Sequence, residues 1–79
     1  MEVVMMIEDL VMEAFTDCKP YLTCWREMEE IIETILKESL DIYDFMSRLE
    51  RLIEQESNVL LRTDMKILLS ELKSRLKRR

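Results

Sequence analysis

Residues 41–56, DIYDFMSRLERLIEQE, decide the class of the fold. Their apolar side chains recur every three or four residues, which is the period of an amphipathic helix. The resulting stripe is about 120° wide and contains Ile42, Phe45, Met46, Leu49, Leu52 and Ile53. Ser39 or Asp41 can cap the start of this helix, and Asp44 precedes Arg48 by the four residues typical of a surface ion pair. The stretch therefore predicts a helix.

A second amphipathic helix is predicted upstream, over residues 24–38. Its apolar side chains share one face, made of Trp25, Met28, Ile31, Ile32, Ile35 and Leu36. Thr23 is the expected N-cap, with its hydroxyl accepting from the amide of Trp25 or Arg26. The two helices are expected to separate at residues 39–41; without that break they form one long central helix.

A further helix is expected downstream of Ser57 and Asn58, because Asn tolerates caps and turns better than most residues. Leucines and one methionine then alternate at spacings of four, three and four, as along a coiled-coil seam. The seam contains Leu61, Met65, Leu68 and Leu72, and Leu69 and Leu76 broaden it.

The N-terminal part predicts a helix over residues 2–16 that ends within residues 17–22, because Pro20 has no amide hydrogen and disfavours helical backbone at the preceding residue. The apolar arc of this helix is wider than one packing face requires. Met5, Met12 and Phe15 are therefore expected to be surplus to the core and to contact a partner, most simply a second copy in a two-fold dimer. The alternative is that Trp25 and the later helices cover the whole arc.

The chain has 79 residues, no glycine and a single proline. Glycine is the usual residue where the backbone needs a positive φ or closes a tight turn, so its absence disfavours β-hairpins. We expect one all-α domain over residues 1–79. It is predicted to be an up-and-down bundle of three to four amphipathic helices, with homodimerisation as a way to complete its core.

The composition also disfavours enzyme chemistry. The chain has no histidine, the side chain that most often acts as a general base near neutral pH. Without glycine it has no phosphate-binding loop, and two cysteines are too few for a structural zinc site. We expect no enzyme activity, no cofactor and no metal. No signal peptide or membrane span is visible, so Cys18 and Cys24 are expected to be reduced thiols in the cytoplasm.

Charge is distributed unevenly along the chain, whose formal net charge is −5. Residues 1–56 contain 15 acidic and 5 basic side chains, and residues 57–79 contain 2 and 7. Four of the basic residues, which we call the basic row, share a flank of the last helix: Arg62, Lys66, Lys73 and Lys77. They can complement the acidic helices of the same chain or of a dimer mate, follow the phosphates of a nucleic acid, or bind an acidic protein or an anionic membrane surface.

These observations favour a small intracellular protein–protein interaction module, such as an adaptor, inhibitor or assembly factor of bacterial, phage or viral type. It is expected to act through an apolar helix face. The alternative is a nucleic-acid-associated regulator that contacts phosphates through the basic row. That alternative is the weaker of the two, because the whole chain is acidic and no aromatic residue lies among the basic ones.

Overall fold

The computed structural model describes residues 7–77, which form four α-helices joined by short connections. The helices are α1 (Ile7–Cys18), α2 (Trp25–Glu38), α3 (Ile42–Gln55) and α4 (Val59–Lys77), and a 3₁₀ turn, Lys19–Tyr21, follows α1. No strand is present in this range. The predicted all-α class is confirmed, and each of the three predicted breaks separates two helices.

The C-terminal helix, α4, organises the core, since it packs against α1, α2 and α3. Of the other helices, α2 also packs against α3, whereas α1 makes its main helix contact with α4. The fully buried large side chains come from all four helices: Val11, Phe15, Met28, Ile32, Phe45, Leu49, Met65, Leu68 and Leu72. The predicted seam of α4 is therefore the part of the molecule on which the other helices assemble.

Two of the helices begin with side-chain caps that the sequence indicates. At the start of α3, the Asp44 amide donates to Asp41 Oδ1 over 2.8 Å, and Asp44 Oδ2 accepts from the Leu40 amide over 3.0 Å. At the start of α4, Asn58 Oδ1 accepts from the amides of Leu60 and Leu61. Such caps satisfy amide groups that have no partner inside the helix.

The start of α2 differs from the prediction that Thr23 caps it. The helix begins at Trp25, and the residue before it, Cys24, makes no capping hydrogen bond with its own side chain. The amides of Thr23 and Cys24 instead donate to the carboxylate of Asp64 on α4. The acceptor at this helix start is thus supplied by a different helix.

A single arginine connects α1 to α4 through charge. Arg75 donates to Glu71 on its own helix, to Glu13 over 2.9 Å and to Asp17. Its side chain is only 16% exposed, so its pairs are partly shielded from water. Burial opposes the charged form of Arg75, but the hydrogen bond that it donates to Asp17 and the charge of Glu71 outweigh this effect and raise the pKa of the guanidinium. The arginine joins the two helices that lie furthest apart in sequence.

Candidate interaction surfaces

The three residues predicted to contact a partner through α1 have different positions. Phe15 is 2% exposed and belongs to the core, so the expectation that it is surplus to the core is wrong. The physical reason is the spacing of Val11, Ala14, Phe15 and Cys18, which places all four on the buried face of α1. Met12 is half-buried and packs against the core, and Met5 lies outside the described residues.

Met12 nonetheless borders a shallow groove between α1 and α2. The groove has a volume of about 420 Å³ and is also lined by Glu8, Glu33, Leu36 and Lys37. Met12 and Leu36 form its apolar part, and charged side chains occupy the rest. The α1 surface that remains available to a partner is therefore small and mixed in character.

The basic row lies on the outside of α4. Lys66, Lys73 and Lys77 are exposed, and Arg62 is half-buried. Within residues 7–77, ion pairs are made by Arg48 and Arg75, and the basic row makes none. Within the described residues, the ion pairs between α4 and an acidic helix of the same chain are made by Arg75, which is not a member of the basic row.

Within residues 7–77, large apolar side chains are exposed at Tyr21 of the 3₁₀ turn and at two further places. The first, which we call the tip, consists of Leu40 and Tyr43 at the connection between α2 and α3, and these side chains are 90% and 66% exposed. The second is at the start of α4, where Val59 and Leu60 are more than half exposed. Helix α3 is about 21 Å long at 1.5 Å per residue, and it lies between these two places in the chain.

The backbone of the tip is held by hydrogen bonds on both sides. Ser39 Oγ donates to the carbonyl of Ile35 over 2.7 Å, and the Leu40 amide donates to Asp44. The hydrogen bond from the Leu40 amide, together with Arg48, keeps the pKa of the Asp44 carboxyl below its usual range, although burial opposes the effect. The carboxylate that holds the turn is therefore charged at neutral pH. Leu40 projects into solvent from a turn that is already ordered.

A groove between the 3₁₀ turn and α4 borders the second apolar place. It has a volume of about 520 Å³ and includes Tyr21, Thr63, Lys66 and Ile67. Tyr21 is exposed, and the hydroxyl of Thr63 donates to the carbonyl of Val59, one turn earlier on the same face of α4. We call Tyr21, Val59, Lys66 and Ile67 the shoulder. Its cation, Lys66, belongs to the basic row.

A third groove separates α2 from α3 and has a volume of about 460 Å³. Ile31, Ile35 and Leu52 contribute its apolar part, and Arg48 and Glu38 pair with each other beside it. The lining also includes Glu30 and Arg51, so acidic and basic side chains are present in equal number and the groove has no net charge.

The two thiols are free, and neither is activated. Burial raises the pKa of the Cys18 thiol, and the negative charge of Glu71 raises it further. Desolvation also raises the pKa of the Cys24 thiol. A raised pKa lowers the fraction of thiolate, the reactive form, so neither cysteine has the properties of a nucleophile at neutral pH.

The described part of the chain holds no group of three or more His, Cys, Asp or Glu side chains placed to bind a metal ion. Within residues 7–77, no helix combines the length and apolar character needed to cross a bilayer. The accessible chemistry of this region consists of exposed apolar side chains and surface charges. Such features suit recognition of another molecule.

Over residues 7–77, fold and surfaces together define a small domain of four helices with exposed apolar residues near both ends of α3. The chain belongs to the MJ1579 family, whose model matches residues 6–77. Comparison with curated proteins and with solved structures found no match. The family name states no activity, so the functional argument depends on the surfaces described above.

The sequence indicated some of these surfaces and missed others. The basic row was predicted and lies outside, as its helical spacing requires. At the tip, the sequence predicts only a turn. Leu40 lies between the last cap of α2 and the first cap of α3, and nothing in the neighbouring residues shows whether another helix covers its side chain. Asp64 was missed as a structural residue, since one carboxylate in a polar part of a helix gives no sign of burial.

Proposed function

We propose that the protein is a small protein–protein interaction module, an adaptor, inhibitor or assembly factor, that recognises its partner through the tip. The observation that carries this proposal is the 90% exposure of Leu40 on a turn whose backbone is already fixed by hydrogen bonds. Because the backbone that carries Leu40 is already fixed, little further backbone entropy is lost when this side chain enters a partner's pocket. Tyr43 adds an aromatic ring beside it, a residue type enriched at interfaces.

The free, unactivated thiols support a cytoplasmic location for this module, where such thiols remain reduced. A homodimer through α1 remains a second form of the same proposal. It has less support than the tip, because Phe15 is buried and Met12 is half-buried.

The proposal is tested by capturing binding proteins from the source cells with the natural protein and with a double variant, Leu40→Ser and Tyr43→Ser. The matched control is Glu50→Ser with Glu54→Ser, which changes two exposed residues of α3. We expect the natural protein and the control to retain a binding protein, which can be another copy of this chain. The tip variant should not retain it. Equal retention by all three, or by none, contradicts the proposal.

The second candidate function is binding of nucleic acid through the basic row. It is favoured by one observation: within the described residues, Lys66, Lys73 and Lys77 are exposed and make no ion pair. Lys66 and Lys77 are about 16 Å apart along the helix axis at 1.5 Å per residue, a span that covers several phosphates.

This candidate predicts binding to DNA or RNA that weakens steeply as salt increases, because each neutralised phosphate releases counterions. Lys73→Gln should reduce the slope of log affinity against log salt by roughly one. Lys37→Gln, which removes an exposed lysine from α2, is the control and should leave the slope unchanged. Absence of binding at low salt overturns this candidate.

A further inference from the structure

The two exposed apolar places differ in the charges that remain unpaired around them. At the tip, Arg48 pairs with Glu38 and Asp44, whereas the exposed carboxylate of Asp41 has no cation within 4 Å in the described part of the chain. The tip therefore presents two apolar side chains beside a negative charge.

The shoulder presents the opposite combination. Two carboxylates of its groove, Asp17 and Glu71, are both bound by Arg75. Lys66 is exposed and makes no ion pair within residues 7–77. Tyr21 and Val59 are 76% and 61% exposed. An apolar surface beside a positive charge is thus available on the same molecule that carries the tip.

We propose that the occupant of the shoulder is the tip of a second copy of this chain. In this contact, Leu40 and Tyr43 of one copy pack against Tyr21 and Val59 of the next, and Asp41 approaches Lys66. Apolar side chains are covered on both sides, and the two unpaired charges are opposite in sign, as complementary interfaces require. The inference rests on the proposed function and names the partner of the tip.

The geometry of this contact makes it directional. The tip and the shoulder share no residue, so each contact joins two different surfaces. Repeated from copy to copy, such contacts produce rings or open chains, and exchanged reciprocally between two copies they produce a two-fold dimer. The contact is also small beside the roughly 1,200 Å² or more that stable interfaces bury, so we expect weak, concentration-dependent association.

The test is sedimentation velocity over a concentration series from about 10 μM to 1 mM, a range that suits interfaces of this size. We expect the average mass to rise with concentration, to that of a dimer for a reciprocal pair and past it for a ring or an open chain. Leu40→Ser with Tyr43→Ser should weaken association by about tenfold or more, because these side chains are the apolar anchors. Lys66→Glu should weaken it as well, whereas Lys73→Glu, of identical net charge and also exposed, should have a smaller effect.

Mixing the two defective proteins gives the decisive result. The tip variant keeps an intact shoulder, and Lys66→Glu keeps an intact tip. Together they should form a one-to-one dimer that grows no further. A natural protein that stays monomeric to about 1 mM, or a mixture that does not combine, overturns the inference. If the tip still captures a different protein from source cells, the proposed function stands and only the identity of the partner is wrong.

Discussion

Asp64 is the residue whose role depends most on the tertiary structure. Its carboxylate is 1% exposed, and it accepts hydrogen bonds from the amides of Thr23, over 3.1 Å, and Cys24. These amides lie at the start of α2, where the helix dipole is positive and attracts an anion. A buried charge is costly unless it is hydrogen-bonded, and here the two amides provide those bonds. One side chain therefore stabilises the start of a helix to which it does not belong.

Replacing Asp64 should destabilise the protein in a graded way. Asp64→Ala leaves two amides without their acceptor, and we expect the free energy of unfolding to fall by about 1–3 kcal/mol. Asp64→Asn should cost less, because its amide oxygen can still accept. Urea denaturation measures both, with Ser70→Ala, an exposed change on the same helix, as the control. An Asp64→Ala protein as stable as the control contradicts the assigned role.

At the scale of the helices, local signals explain where prediction from sequence works. Pro20, Asp41 and Asn58 each act on their immediate neighbours, and all three predicted breaks are confirmed. The prediction for Thr23 is wrong because the acceptor that replaces its hydroxyl, Asp64, lies 41 residues away. The expectation that Phe15 is surplus to the core is wrong for a related reason. The width of the apolar arc of a helix does not show how much of that arc a second helix covers. Non-local packing decides both.

The start of α3 carries a prediction about pH. The pKa of Asp44 is lower in the folded protein, because its carboxylate accepts from the Leu40 amide and pairs with Arg48. Its contribution to stability is therefore fully present above the unfolded carboxyl pKa of about 3.9 and is lost as the pH falls through the lower folded value. We expect the stability difference between the natural protein and Asp44→Asn to be largest near neutral pH and to disappear in acid.

Urea denaturation at several pH values between neutral and strongly acidic conditions measures this difference. Glu50→Gln is the matched control, since within the described residues the Glu50 carboxylate accepts no hydrogen bond and makes no ion pair. A stability difference for Asp44→Asn that is constant across the whole series shows that the cap contributes nothing through its charge.

At the scale of the whole molecule, α4 is the element that the other three helices share. Its buried side chains, among them Met65, Leu68 and Leu72, complete a core to which α1, α2 and α3 each contribute one face. The principal dimensions are 44 × 25 × 21 Å, so the tip and the start of α4 can lie far apart on an elongated body. The seam of α4 was visible in the sequence, but its contact with three helices was not, because a heptad pattern gives the face and not the number of neighbours.

This arrangement predicts that the chain cannot fold in part. A fragment of residues 1–56 should show little helical circular dichroism and no cooperative thermal transition, because α1 loses its main packing partner. Adding a peptide of residues 57–79 should restore both signals at a one-to-one ratio. A fragment of residues 1–56 that unfolds cooperatively by itself contradicts the central role of α4.

The position of α4 also has a consequence for synthesis. A ribosome makes α1, α2 and α3 before the helix on which all three assemble. Until then, α2 and α3 can pack only on each other, and the apolar faces that α4 covers in the folded protein remain exposed. The core therefore closes only after α4 has been made, and cellular factors that recognise exposed apolar segments have their opportunity to bind before then.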